Sequence, residues 1–224
     1  AKADMTTERE SELKDYFSIN RLPYYPHIGA VWLTISDQGE PRRDHPYIAF
    51  PLPGPNVHFM KGLMCRALYP ADVPESRRRL FRGNNTPWIL RRREAPVLIA
   101  ESITDCLAGD VLFGNCFTLL ATNGLRKPET IFPYLERLKS RVVYLAMDNE
   151  QEDQNATRKD RKGPTTQLEF VEHLVQHGIH TMEVRVHHNA RVKDLHRLLR
   201  AQPQAISPYE LTRTGIHHQP QNIS

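Results

Sequence analysis

An α/β fold built on a parallel sheet, preceded by a smaller α+β unit, is the class that the sequence predicts. Two observations carry it. After Pro96, apolar runs of strand length alternate with helical patterns, which implies βαβ units and a parallel sheet. Before Pro96, one short helical segment is followed by brief strand-like runs punctuated by Pro and Gly.

In the first part, residues 6–17 read as a short charged helix with Thr6 or Thr7 as its N-cap. "AVWLTI" (30–35), "YIAFPL" (47–52) and "VHFM" (57–60) read as strands, with turns at "SDQGEP" and "PGPN" between them. In the second part the strands are "VLIA" (97–100), "FTLLA" (117–121), "VVYLAM" (142–147) and "MEVRV" (182–186). Helices are predicted over 103–112, over 128–139 from Pro128, over 164–177 and from about 192 to 200. The third of these places Leu168, Val171, Leu174 and Val175 on one face and stops at Gly178. The expected organisation is a basic α+β unit over 1–95, the parallel-sheet domain over 96–201, and a polar tail or linker over 202–224.

The chain has 224 residues, enough to bury a sizeable core in one large or two small domains. No apolar run approaches the length of a membrane span, and no signal peptide opens the chain. Cys65, Cys106 and Cys116 form no CxxC pair, so reduced thiols packed in cores and a reducing, cytoplasmic setting are expected. Ala1 stands where Met would open a complete chain, which fits an excised piece, and what precedes it is left open. There is no Gly-Lys-Ser/Thr phosphate loop, so no helicase motor lies here. His187-His188 and His217-His218 are adjacent pairs whose side chains diverge on a strand, and they are read as structural or surface residues.

Net charge is +4 and uneven. Residues 1–95 hold 15 Lys and Arg against 11 Asp and Glu, whereas residues 96–224 hold 15 of each. Seven arginines fall in "RRRLFRGNNTPWILRRR" (77–93), which suggests a phosphate-facing surface, since the guanidinium fork matches phosphate geometry. The other reading is a solvated face. Phe81 and Trp88 among these arginines favour nucleic acid, because bases stack on such rings.

The acidic residues fall at strand ends. Glu101 follows "VLIA", Asp148 and Glu150 follow "VVYLAM", Asp194 follows the fourth strand, and Asp105 lies one helical turn beyond Glu101. Open parallel sheets bind ligands at the carboxyl ends of their strands. Carboxylates crowded at one edge repel unless compensated, and a hard divalent cation such as Mg²⁺ (or Mn²⁺) compensates them.

With these residues in place, 96–200 resembles a Toprim domain, the fold shared by bacterial-type primases, type IA and II topoisomerases, and related nucleases and recombination proteins. "AESITD" resembles its Glu-Gly with Asp four residues on, "ATNG" (121–124) its small-residue turn, and "MDNE" its Asp-x-Asp. "VKDLHRLL" (192–199) resembles the Lys-Asp-x-Asp ending of primases and their phage and plasmid relatives. "HPYIAFPLPGPNVHFMKGLMCRALYP" and "RRRLFRGNNTPWIL" resemble the primase segments preceding the Toprim part, so the resemblance spans about 21–200. It implies a Mg-dependent, primase-like nucleotidyltransferase making primers on single-stranded DNA from nucleoside triphosphates, in replication of a phage, plasmid or other mobile element. A helicase or other replication domain is the implied partner.

Residue by residue, the resemblance makes Glu101 and Asp148 catalytic, Asp148, Glu150 and Glu101 metal ligands, and Asp105 and Asp194 supporting acids. Arg66, Lys61, Arg77, Arg78, Arg79, Arg82 and Lys193 would contact nucleic acid or nucleotide, Arg66 matching the primase arginine. The chain departs from the pattern at Ser102 for Gly, Glu150 for Asp and His196 for the last acid, and in the long mixed-charge segment 151–163. A metal-dependent nuclease and a non-catalytic DNA-binding module of a larger replication protein are the other classes these residues allow.

Overall fold

The computed structural model describes residues 7–35, 43–54, 60–125, 127–147, 162–184, 194–201 and 217–218. The chain divides into two compact units, Ala1–Thr86 and Pro87–Ser224.

The first unit opens with α1 (Thr7–Ile19) and continues as a four-stranded antiparallel sheet of β1 (Gly29–Ile35), β2 (Arg43–Pro53), β3 (Met60–Ala67) and β4 (Arg79–Gly83), in the order β1-β2-β3-β4. Inner strand β2 is buried continuously from Tyr47 to Phe50. That explains its unbroken apolar run, since a strand covered on both faces has no reason to alternate. Tyr47, Cys65, Ala67 and Val73 form one cluster, with Val31, Leu33, Leu63 and Leu80 against it. Leu13 and Phe17, one turn apart on α1, are also buried.

Two elements here differ from the sequence reading. The third strand starts at Met60, where "VHFM" ends, and runs through Gly62 and Arg66; residues 55–59 lie outside the described residues. The arginine run folds in part as strand β4. β3 and β4 approach so closely that a Cβ on Gly62 would collide with the carbonyl oxygen of Asn84.

The second unit contains β5 (Trp88–Leu90), β6 (Val97–Ala100), α2 (Ile103–Leu112), β7 (Thr118–Ala121), α3 (Pro128–Leu138), β8 (Val142–Ala146), α4 (Lys162–Gln176), β9 (His180–Glu183), α5 (Leu195–Ala201) and β10 (His217–His218). The sheet order is β10-β9-β8-β6-β7-β5. The four inner strands are parallel, and β5 and β10 close the edges antiparallel. The sequence reading divides the chain after Ala95; the unit boundary lies after Thr86, because β5 pairs with β7.

Helices α3 and α4 cover one face of this sheet. Ile131, Tyr134 and Leu135 of α3 and Phe170, Val171 and Leu174 of α4 pack with Val97, Ile99, Leu120, Val143 and Leu145. Helices α2 and α5 pack together, and α2 meets Leu98, whose side chain points the opposite way from those of Val97 and Ile99. At Gly109 of α2, an added Cβ would lie 2.5 Å from Leu98 and 3.2 Å from Leu195 of α5, so glycine permits the close packing.

Some expectations need correction. Leu168 does not join the buried face of α4 but is 53% exposed, because the buried stripe is centred on Phe170, Val171 and Leu174. Cys65 and Cys106 are core residues, whereas Cys116 is exposed in the connection into β7; all three are free thiols. No helix among the described residues is long and apolar enough to cross a membrane.

Candidate functional site

The carboxyl edge of the second sheet brings together Glu101, Ser102, Asp105, Asp194 and the start of α5. β6 is an inner strand, with β7 on one side and β8 on the other. It ends at Ala100, level with Ala121 and Ala146, so half-buried Glu101 stands at the first position beyond the ladder. The turn after β7 holds that position. Thr122 N–H donates to the Ala100 carbonyl at 2.9 Å and Asn123 N–H to that of Glu101 at 3.0 Å. Asn123 and Gly124 both have positive φ, 54° and 82°, a backbone that the "ATNG" stretch tolerates.

Ser102 stands where the resemblance has glycine, and its conformation is ordinary: φ −122° and ψ 157°. It is the N-cap of α2, its Oγ accepting the Asp105 N–H at 3.2 Å. Its hydroxyl also donates to Asp105 Oδ2 and lies 2.8 Å from the Thr104 hydroxyl. The side chain therefore supplies a cap that glycine lacks.

Asp105 is 7% exposed, and both of its oxygens are engaged. Oδ2 takes the Ser102 hydroxyl, and Oδ1 accepts the backbone N–H of His196 at 3.3 Å. Burial pushes its carboxyl above the usual carboxylate range; the Ser102 hydrogen bond opposes this, and the neighbouring Asp194 charge adds to it. Asp194 caps α5, its Oδ1 accepting the Arg197 N–H at 2.7 Å while Oδ2 lies 3.6 Å from Arg197 Nε. Both supporting acids thus meet at the amino end of α5 and satisfy donors that a helix start leaves open. Asp148, Glu150 and Lys193 lie outside the described residues. Among the described residues, no three His, Cys, Asp or Glu side chains converge as a metal-binding group.

The basic candidates do not share one face. Arg66 is paired with Arg79 across β3 and β4, whereas Arg82 is paired with Leu63. Side chains alternate along a strand, so Arg66 and Arg79 project from one face while Arg82 projects from the other; Lys61 sits at the register irregularity between β2 and β3. Arg77 and Arg78 precede β4: the Arg77 carbonyl accepts the Tyr47 hydroxyl at 2.8 Å, and Arg78 Nε donates to the Pro70 carbonyl at 2.9 Å. The expectation of bases stacking on Trp88 is overturned, since that ring is fully buried; Phe81 is half-buried. Arg92 also leaves the phosphate-facing set. It forms a two-pronged ion pair with fully buried Asp110 of α2 and donates to the Phe117 carbonyl at 2.6 Å. Its backbone N–H and carbonyl both bond the Thr118 hydroxyl at 2.8 Å.

Sequence reasoning missed the capping role of Asp105, although Ser102-x-x-Asp105 is a helix-start signature. It also missed the Arg92–Asp110 pair, for which no local signal exists.

No protein-family model matches the chain. No curated protein matches it either. Among solved structures, it is similar to a DNA primase domain from Pseudomonas aeruginosa, with a TM-score of 0.49 and 16% identity over 76% of this chain and 52% of that one. It is also similar to the primase fragment of the bacteriophage T7 primase-helicase protein, with a TM-score of 0.51 and 10% identity over 85% of this chain and 66% of that one. The chain therefore spans about half the length of the first and just under two thirds of the second. At these identities the likeness is one of fold alone, shared with the T7 primase fragment.

Proposed function

We propose that the chain is a primase-like, metal-dependent nucleotidyltransferase that makes primers on single-stranded DNA in replication of a phage, plasmid or other mobile element, and that its second unit is a Toprim domain. The observation that carries this reading is the position of Glu101, held by the β7 turn at the carboxyl end of an inner parallel strand. The fold shared with the T7 primase fragment supports it.

The donor set fits a hard divalent cation, being carboxylate oxygen. Asp105 is engaged with Ser102 and His196, so the ligands in this reading are Asp148, Glu150 and Glu101, with Asp194 close to Asp105. Bound Mg²⁺ or Mn²⁺ would neutralise charge on the triphosphate. Glu101 orients the attacking 3′-hydroxyl. Asp105 and Asp194 fix the start of α5, and Lys193, next to Asp194 in the chain, pairs with the incoming phosphates. Arg66 and Arg79, with Arg77, Arg78, Arg82 and Lys61, hold the template backbone. A helicase or other replication domain is the partner class.

The test combines Mn²⁺ calorimetry on wild type and Asp148→Asn with nucleotide incorporation on single-stranded DNA by wild type and Glu101→Gln. Metal binding abolished in Asp148→Asn, together with incorporation abolished in Glu101→Gln, supports the reading. Nicking of plasmid without incorporation would make the chain a nuclease. DNA binding with neither activity at millimolar metal would leave a binding module.

A further inference from the structure

The opposite edge of the second sheet carries a basic cavity of about 390 Å³ that the proposed reaction does not use. It opens at the amino ends of β6 and β8, among Arg91, Glu94, Thr118, Lys139, Arg141 and Tyr144. Pro96 and Glu101 bracket β6, so five residues of extended chain, about 16 Å, separate the cavity from the acidic edge. No single phosphate group spans both.

The cavity carries excess positive charge even with Glu94 on its rim. Arg92, on its wall, is neutralised by Asp110, and Glu94 lies 3.5 Å from the Arg93 guanidinium outside it. Arg91, Lys139 and Arg141 are exposed, and among the described residues none of their side chains has an ion-pair or hydrogen-bond partner. Three cations from two separate segments thus face one space with no carboxylate paired to them. Tyr144 gives the cavity an aromatic wall, braced by Phe117 at a ring-centroid distance of 4.7 Å. Cations repel unless a ligand anion joins them, and an aromatic wall beside clustered guanidinium groups suits a base with its phosphate.

The geometry points to a second phosphate-binding site here, one that takes a phosphate-bearing nucleotide unit against Tyr144 with Arg91 and Arg141 on the phosphate. Such a unit comes either from a free nucleoside triphosphate or from a nucleic-acid strand. This inference stands apart from the reaction proposed for the acidic edge, and neither requires the other.

The test uses the full chain, fluorescein-labelled dT20 and ATP, each titrated separately. The Arg91→Glu/Arg141→Glu double variant is compared with Arg43→Glu/Arg200→Glu, which matches its net charge and alters exposed residues elsewhere. Both altered positions at the cavity are exposed, and a thermal melt checks that each variant is folded; Arg141→Glu alone is the reserve. Loss of about tenfold in ATP affinity, beyond the control, would assign the site to a free nucleotide. A similar loss for dT20 only, with a shallower salt dependence, would assign it to a strand. Equal effects of the two double variants, or a wild type that binds neither probe, would overturn the proposal.

Discussion

The carboxylate of Asp105 accepts the backbone N–H of His196, 91 residues further along the chain. One side chain near the amino end of α2 thereby serves the amino end of α5, with Ser102 bonded to its other oxygen. Asp105→Ala leaves the half-buried His196 amide and Ser102 hydroxyl without this acceptor, at a cost of about 1 kcal/mol by urea unfolding. The pH dependence has a definite sign. The folded carboxyl titrates above its ordinary value of 3.8, so between that pH and the raised value the folded state holds more protons than the unfolded one. This group therefore makes stability fall as pH rises through that window, and Asp105→Asn removes its contribution. Stability that rises less steeply with pH across that window in Asp105→Asn than in wild type would contradict the assignment.

The Arg92–Asp110 pair predicts a larger effect. Asp110 is fully buried, and Arg92 meets it with two nitrogens while also bonding the Phe117 carbonyl. Arg92→Ala strands a carboxylate in the core, at a cost of about 3 to 5 kcal/mol. Arg92→Lys recovers only part of this, because a single ammonium cannot reproduce the fork. Guanidinium unfolding of the two variants checks both statements. A neutral Arg92→Ala would mean that the pair is not formed.

How much of this was legible follows from the range over which each signal acts. The run Val97–Ala100, the periodicity of 103–112 and the Pro128 start of α3 are local, and each element appears where the sequence put it. β4 and β5 were not legible: arginine occupies both faces of the first, and the second is only three residues long. Strand-end acids identify an edge, but a sequence does not say which of them a helix start will consume. Asp194 is committed to a local cap of α5, and Asp105 accepts the His196 N–H by a hydrogen bond that exists only once α2 and α5 have packed.

The thiols provide an inexpensive check on the core. Cys65 and Cys106 are buried, with their pKa values pushed up by burial, Cys106 well above the usual range. Cys116 is exposed. A chromogenic disulfide reagent at mildly alkaline pH is expected to titrate one thiol promptly in the native protein and all three in denaturant. Prompt reaction of two or more would show that one of the two cores is open.

The two faces of the first sheet make a prediction about template binding. Arg66 and Arg79 are cross-strand partners, so their interactions with one strand of DNA should couple. Alanine at both is expected to weaken dT20 binding more than alanine at Lys61 and Arg82. The salt slope should fall by about 0.7 for each phosphate that the variant no longer neutralises. Equal losses of affinity from the two pairs would mean that the strand does not choose a face.

Glu101 is the residue on which function and stability should separate. It is half-buried beyond the end of β6, and its backbone carbonyl, not its side chain, receives the Asn123 N–H. Glu101→Gln keeps that carbonyl, the side-chain volume and a terminus able to hydrogen-bond, so unfolding should shift by less than about 1 kcal/mol. Primer synthesis should fall by on the order of 10² to 10⁴-fold, the range for removing a positioned acid or base. If activity and stability fall together, Glu101 is a structural residue like Asp105, and the chemistry must be sought elsewhere on that edge.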